Sequence, residues 1–514
     1  MTATATFEVA LKNEAATAAL MADLALLIGP GDVITLSGEL GAGKTTAARA
    51  LIRYLAEDAE LEVPSPTFTL VQDYDLPGLS LVHADLYRIG DPTELEEIGL
   101  SPLPELAIAL IEWPERAASM LPADRIDIAF THGPPADSDA REATITGFGK
   151  AAAVVERLRG LRQFLTRAGF CEAERRRMAG DASVRSYARL VRDGLSFILM
   201  NSPPRPDGPP IYNGKSYSAA VHLAEDVKPF VAIAEGLRAR GLSAPQIHHA
   251  DLKRGFLIEE DFGTVWFFEG DPPRPIPSRY EAAIDMLVAL HGEPVPQALP
   301  LAPQSSYEIP VFDVEALLVE IGLMLEWYLP DRGVRLHDGV RCEFLAMWRE
   351  LLRKPAATAM TWVLRDFHSP NLLWLSERAS IARVGLIDFQ DAVLGPAAYD
   401  LVSLLQDARL GVPESLELAL LSRYVSARSE RGASFDASEF ASSYAILSAQ
   451  RNTRLLGTFA RLNRRDGKPQ YLRHQPRIWG YLERSLAHPA LASINAWYAA
   501  NVPPPLPDLP VVSP

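Results

Sequence analysis

Thr361-Trp-Val-Leu-Arg-Asp366-Phe-His-Ser-Pro-Asn371-Leu-Leu and, further on, Val384-Gly-Leu-Ile-Asp388-Phe-Gln decide the reading of the larger part of this chain. The first stretch reads as a strand running into a loop that carries an Asp and an Asn five residues apart. The second reads as a strand that ends in Asp388. Phosphoryl transfer uses this set of groups. One carboxylate, Asp366, accepts the proton of an attacking hydroxyl, while an amide, Asn371, and a second carboxylate, Asp388, hold Mg2+ against the phosphates. Asp-x-x-x-x-Asn is common by chance; the flanking strands and the run Ile387-Asp-Phe-Gln-Asp391 give it weight. A purely structural role for these acids is the competing reading.

A second phosphate motif stands near the start. Asp32-Val-Ile-Thr-Leu-Ser37 is a short apolar strand entering Gly38-Glu39-Leu40-Gly41-Ala42-Gly43-Lys44-Thr45-Thr46, and helical periodicity follows. Glycines between a strand and a helix let backbone N–H groups curl around a β-phosphate, and the helix N-terminus adds its dipole. Lys44 then reaches the β/γ-phosphates and the Thr45 hydroxyl ligates magnesium. The alternative is a glycine turn that merely opens a helix. Two later strands, Leu79 to Asp85 and Ala107 to Glu112, end in carboxylates, and in an open parallel sheet such ends meet at the nucleotide crevice. Solvated loop acids are the other reading of that pair.

At 514 residues the chain exceeds one ordinary core, so two or three domains are expected. Charge is unevenly spread. Residues 1–150 hold nine Lys and Arg against twenty-four Asp and Glu, the whole of the net −15. So acidic a segment lacks the cations needed to displace counterions from nucleic acid, and service to RNA would have to run through a protein partner. Two cysteines, Cys171 and Cys342, exclude a disulfide framework or thiolate metal site and fit a reducing cytosol. The first residues lack a signal-peptide pattern, and no apolar run approaches membrane-spanning length. A cytoplasmic protein with no membrane association is expected.

Residues 1 to about 150 resemble the TsaE family, the ATPase subunit of the bacterial machinery that makes threonylcarbamoyladenosine in tRNA. The matching pieces are Gly38 to Thr46, Ser65-Pro-Thr-Phe-Thr-Leu-Val71, His83-Ala-Asp-Leu-Tyr-Arg88 and Ile111-Glu-Trp-Pro114, in the family's order. The resemblance implies that residues 39–46 bind ATP, that Thr45 and Glu112 hold Mg2+, and that Asp85 belongs with Glu112 among the active-site acids. It also implies that Thr67 sits in a nucleotide-sensing loop and that Thr17 touches the nucleotide from the first helix. The family acts on partner proteins of the tRNA-modification complex, so a nucleotide-gated adaptor with little turnover is the rival to an active ATPase.

Asp137 to Arg141 reads as a polar turn, Ala143 to Gly147 as a last strand, and Lys150 to Ala168 as an amphipathic helix with Val154, Val155, Leu158, Leu161 and Leu165 on one side. The boundary is expected near 150, with the halves touching or linked by this helix. Beyond it, Gly180 to Val191 and Leu195 to Met200 read as two strands around Arg192-Asp-Gly194, and the turn Asp181-Ala-Ser183 offers backbone N–H groups to phosphates. A proline-rich exposed loop, a helix over about 217–240 and a strand Gly255 to Gly263 leading to a hinge follow. Helices dominate after 275.

From about 160 to 495 the chain resembles the aminoglycoside phosphotransferase family of kinase-like enzymes, and within it the anomeric amino-sugar kinases (AmgK), which phosphorylate N-acetylmuramate and N-acetylglucosamine in cell-wall recycling. The residues that carry this are Ser183 to Tyr187, Ile198 to Pro204, Arg365 to Asn371, Ile387 to Ala392, Gly395 to Asp400 and Gln450 to Ala460. The resemblance implies Asp366 as general base, Asn371 and Asp388 as Mg2+ ligands, Ser183 at the ATP phosphates, and Asp400 as a brace for the catalytic loop. Two positions depart from the pattern. Leu364 stands where many relatives have His, and Met200 where kinase-like folds place a phosphate-pairing Lys; Arg185, Arg189 or Lys215 are the candidate substitutes. His368 either contacts the sugar or pins its loop. Arg451, Arg454, Arg461, Arg464 and Arg465 form either a lure for an acidic sugar or a solvated cationic helix face.

The expected architecture is therefore an α/β P-loop NTPase domain (1–150), an α+β protein-kinase-like domain (151–500) and a Pro-rich tail (501–514). The expected function is bifunctional: an ATPase supporting tRNA modification and an ATP- and Mg2+-dependent sugar kinase. The alternatives are a kinase for choline or an aminoglycoside, or a pseudokinase scaffold.

Overall fold

Alternating and apolar stretches of the first 150 residues close into one sheet. The computed structural model describes residues 4–506 except 91–93, 98–99, 101–102, 104, 119, 134–138, 179–184, 206–207, 302–304 and 432–434. The chain folds as two compact units, Met1–Pro203 with Ile247–Asp261, and Pro204–Gln246 with Phe262–Pro514.

The first unit begins with β1 (Thr4–Leu11), α1 (Glu14–Ala25), β2 (Val33–Gly38), α2 (Lys44–Ala56), β3 (Val71–Leu76), β4 (Leu79–Asp85), α3 (Glu94–Glu97), β5 (Ala107–Glu112), β6 (Arg125–His132), β7 (Arg141–Phe148) and α4 (Ala151–Ala168). The seven strands are ordered β1-β7-β6-β2-β5-β4-β3. β2 runs parallel to β5 and β6, and β4 parallel to β5, while the outer pairs are antiparallel. The continuous apolar runs of β2 and β5 occupy the middle because a parallel strand is covered on both faces. Leu36 and Leu110 are fully buried there.

The apolar stripe of α4 serves two cores. Ala151, Val155 and Leu158 join the core of the seven-stranded sheet. Leu161, Phe164, Leu165 and Ala168 join a second core with Ala188, Leu190, Leu199, Phe256 and Ile258. That second core backs a five-stranded antiparallel sheet made of β8 (Glu174–Arg177), β9 (Ser186–Arg192), β10 (Leu195–Asn201), β11 (Ile247–Asp251) and β12 (Phe256–Glu260), in the order β11-β12-β10-β9-β8. The sheet is also tied to α1, α2 and the residues that end them by polar contacts. Asp23 of α1, fully buried, accepts from Arg162 of α4 at 2.7 Å and from Arg175 of β8 at 3.0 Å. Arg177 donates to Leu55 O near the end of α2, and the Ser186 hydroxyl donates to Leu26 O at 2.8 Å.

Alternation puts Arg189, Met200 and Glu259 on the opposite face of this sheet. Met200 is buried opposite Leu257. Glu259 is 5% exposed, and its Oε2 has no hydrogen-bond partner. Burial pushes its carboxyl up to about 8, with Arg185 working in the other direction. The folded form therefore keeps its proton where the unfolded chain, with an ordinary value of 4.5, has lost it. Wild-type stability from this group is complete below the unfolded value and is lost as pH rises toward about 8. Glu259→Gln is thus expected to raise the Tm relative to wild type by an amount that grows from pH 5 to pH 8 and then levels off. Thermal melts across that range check it; a difference independent of pH would remove the assignment.

The second unit is mainly helical and carries four two-stranded sheets among the described residues. Met360–Val363 pairs with Val393–Pro396, and Leu372–Trp374 pairs with Val384–Leu386. The single helix expected over 217–240 is two pieces, Tyr217–Ala220 and Lys228–Arg238. His222 sits between them at φ 57, and the second helix restarts with a proline in its first turn. The strand expected to end in Asp388 stops at Leu386. The start of the Pro-rich tail is packed: Val502 is buried, and Pro503 O accepts the Tyr328 hydroxyl at 2.8 Å. Residues 507–514 lie outside the described part. Among the described residues no helix is long and apolar enough to cross a membrane, and both cysteines are free thiols.

Candidate active sites

The turn between β2 and α2 bends through left-handed backbone at Gly38, Gly41 and Gly43. At Gly38 a Cβ would come within 2.3 Å of Phe130 O, so no other residue fits there. No side chain caps the first turn of α2, which leaves its N–H donors to an anion. Lys44 folds into the turn and donates to Gly38 O and Glu39 O, both at 2.8 Å, with its ammonium 3.6 Å from the centre of the Trp113 ring. Burial lowers its pKa, against the pull of Glu112, Glu115 and Asp85. Leu40 is exposed on the outside of the turn, Ala42 is buried beneath it, and Thr46 follows in α2.

Thr45 and Glu112 meet, the hydroxyl donating to Oε2 at 2.8 Å. The other oxygen of Glu112, Oε1, lies 3.0 Å from His83 Nε2, both groups fully or almost fully buried. A hydroxyl beside a carboxylate is a hard-oxygen pair that suits Mg2+. The parallel register sets Asp85 next to Glu112 at the strand ends. Asp85 Oδ2 accepts from Ser65 at 2.7 Å and from Thr67 at 3.0 Å, which fastens the 65–67 segment to β4. Thr17 is buried in α1 with its hydroxyl turned back to Asn13 O at 3.5 Å; no hydrogen bond joins it to the glycine turn among the described residues. His83 escaped sequence reasoning as a positioning group, although it stands in the quoted motif.

In the second unit, Asp400 fixes the loop between the strands Met360–Val363 and Leu372–Trp374 by accepting from Leu364 N at 2.8 Å and Arg365 N at 3.0 Å. Arg365 holds the bend at φ 65, and its guanidinium donates to Val221 O and to Glu320. Asp407 accepts from the Ser369 hydroxyl at 2.7 Å and lies 3.8 Å from His368, so this loop is pinned from a second side. Asp366 Oδ1 faces Arg451 and Arg454 of the helix Ala437–Asp466, each at 3.8 Å. Burial disfavours its charge, but Arg454, Arg451, His368 and Arg365 outweigh that and hold the carboxyl down to about 2.

Asn371 donates to Asp366 O at 2.9 Å and lies 3.5 Å from Asp388 Oδ2. Asp388 itself adopts φ 58, a conformation non-glycine residues rarely hold, and accepts from Gln390 at 3.0 Å. The loop thus brings Asp366, Asn371 and Asp388 together, and the amide and carboxylate oxygens of the last two suit Mg2+. Ser183 lies outside the described residues.

Residues 174–434 match the family described as "Phosphotransferase enzyme family", and residues 11–142 match "Threonylcarbamoyl adenosine biosynthesis protein TsaE". The chain belongs to both families, one after the other. The phosphotransferase part is 39% identical over 353 residues to an N-acetylmuramate/N-acetylglucosamine kinase of Caulobacter vibrioides, covering 66% of this chain and 95% of the relative. It is 32% identical over 330 residues to the protein of that name from Pseudomonas aeruginosa, covering 63% of this chain and 87% of the relative. The TsaE part is 34% identical over 136 residues to the TsaE protein of Rickettsia bellii, covering 26% of this chain and 92% of the relative. The chain is thus a bifunctional enzyme, a TsaE-family ATPase fused to a kinase-like phosphotransferase. Both families use ATP.

Proposed function

We propose that the phosphotransferase transfers the γ-phosphoryl group of ATP to a hydroxyl of N-acetylmuramate or N-acetylglucosamine, at the anomeric position, and that the ATPase supports threonylcarbamoyladenosine formation in tRNA through partner proteins. The observation that carries the kinase reading is the loop that sets ionised Asp366 beside Asn371 and Asp388. Asp366 accepts the acceptor hydroxyl's proton as the O–P bond forms and the β,γ-bridging bond breaks. Asn371 and Asp388 would hold Mg2+, which neutralises phosphate charge. Asp400 and Asp407 keep the loop in place.

In the ATPase, the N–H groups of residues 39–46 and Lys44 bind the phosphates, and Thr45 with Glu112 would hold Mg2+. His83 fixes the carboxylate of Glu112, and Asp85 couples the Thr67 segment to the site. The acidic charge of residues 1–150 supports action through proteins rather than on tRNA directly. Both activities suit a cytoplasmic enzyme.

The test is ATP-dependent phosphorylation of N-acetylmuramate, N-acetylglucosamine, choline and an aminoglycoside by wild type and Asp388→Asn. Transfer to the amino sugars that falls at least about a hundredfold in the variant is expected. Normal rates in Asp388→Asn would remove the metal-ligand assignment, and transfer to choline or the aminoglycoside alone would replace the sugar reading. For the first half, Lys44→Ala is expected to lower partner-stimulated ATP hydrolysis by roughly tenfold or more, through loss of a phosphate contact worth about 1.5–3 kcal/mol. A variant as active as wild type in a phosphate-release assay would show that Lys44 does not engage the triphosphate.

A further inference from the structure

Arginines of one long helix border Asp366. Arg451, Arg454 and Arg461 lie on one helix, and at roughly 100° per residue they fall within an arc of about 80°. Glu320, fully buried, accepts from Arg365 at 2.5 Å, from Arg454 at 3.0 Å and from the Gln450 amide at 3.1 Å. Asp366 lies 3.8 Å from Arg451 and Arg454. The guanidinium groups of Arg365, Arg451 and Arg454 are thus engaged by two carboxylates, and Asp391 and Asp407 also act on Arg365 and Arg451.

Arg461 is the one outside these pairs. Its guanidinium stacks 4.9 Å from the centre of the Tyr217 ring, and no carboxylate lies within ion-pair distance of it among the described residues. Burial and then Arg465 lower its pKa, while Asp466 and Glu326 act on it only at longer range. Asp466 is engaged by Arg465 at 2.8 Å. Burial pushes the Tyr217 phenol up to about 12, with Glu320 acting in the same direction and Arg454 and Arg461 against it. Arg461 follows Arg454 by two turns on the same side of the helix, about 10 Å along it. A half-buried guanidinium without a counter-ion is stabilised by a carboxylate, which its planar fork matches.

We propose that Arg461 binds a carboxylate of the acceptor and makes this enzyme prefer the acidic sugar. The inference rests on the amino-sugar reading above. Of the two sugars in the relatives' names, N-acetylmuramate carries a lactyl carboxylate on a ring otherwise shared with N-acetylglucosamine. Removing the Arg461 charge should therefore act on one substrate far more than the other.

The experiment compares kcat/KM for both sugars in wild type, Arg461→Gln and Arg461→Lys of the full chain, with thermal melts as a folding control. The ratio of N-acetylmuramate to N-acetylglucosamine is expected to fall about tenfold or more in Arg461→Gln, with partial retention in Arg461→Lys. An unchanged ratio, including equal losses on both sugars, overturns the proposal while leaving the kinase reading intact. A wild type that neither phosphorylates nor binds either sugar sinks the amino-sugar reading and this inference together.

Discussion

Asp366→Asn is expected to reduce sugar phosphorylation by about 10²–10⁴-fold. The substitution keeps the volume of the side chain and the backbone carbonyl that accepts from Asn371, so it removes the proton acceptor without taking away the loop contact. It also removes the negative charge 3.8 Å from Arg451 and Arg454. Two cations are then less well balanced, and a modest fall in Tm accompanies the loss of rate. Asp366 is not assigned to hold the metal, so the loss belongs in kcat rather than in the KM for ATP. Steady-state assays with each substrate varied separate the two. A variant within tenfold of wild type would return Asp366 to a structural role, and a loss seen only in the KM for ATP would place it at the nucleotide. ATP hydrolysis through the glycine turn of residues 38–43 should continue in this variant, which makes it the internal control for folding of the first unit.

The parts of both sites that were legible in the sequence are those whose residues are close neighbours along the chain. Gly38 to Thr45 is contiguous, and the glycines that the turn needs can be seen without a fold. Asp366 and Asn371 share one loop, and a strand pattern on each side is enough to suggest how they face one another. Residues whose meaning comes from a distant partner were not legible. Nothing near Glu320 announces that it will be buried between Arg365 and Arg454, 45 and 134 positions away. Asp407 reads as one acid among many until Ser369 and His368 are placed against it. The arginines from 451 onward left a solvated helix face open as a reading; the structure instead buries Arg451 and most of Arg454, because Glu320, Asp366 and Ser403 meet them. Local pattern also failed where backbone geometry overrides it. Apolar residues recur through 217–240 as in one helix, yet the left-handed backbone at His222 and the proline that opens the next helix divide it. Met200 shows the opposite case: the departure from the kinase pattern was visible, but that it lies buried against Leu257 could come only from the sheet register.

The largest stability effect is expected at a residue far from both sites. Asp23 belongs to α1, in the ATPase part, and its two partners come from the segments that follow it. Arg162 lies on α4, and Arg175 on the first strand of the five-stranded sheet. The side chains of Asp23 and Arg175 are essentially inaccessible, and Arg175 spends its remaining donors on Cys171 O and Ala173 O. Asp23→Ala would leave two guanidinium groups facing a cavity with no carboxylate, a change that costs about 3–5 kcal/mol when a buried pair is broken on one side. In a unit of this size that corresponds to a fall in Tm of roughly 6–20 °C, at about 2–4 °C per kcal/mol. Because the pair is buried, added salt should not reproduce the effect, in contrast to an exposed pair such as Lys12 with Glu172. Replacing all three groups by apolar residues, Asp23→Leu with Arg162→Leu and Arg175→Met, should restore much of the stability, since no unpaired charge then remains. Hydrogen exchange shows where the loss falls. If α1 and the five-stranded sheet form one cooperative body, β8, β9 and β10 lose protection together with α1 in Asp23→Ala, although the substitution lies more than 150 residues before them. Protection lost in α1 alone would mean that the ion pair joins two bodies that unfold separately, and that the kinase sheet draws no stability from the ATPase helix it touches.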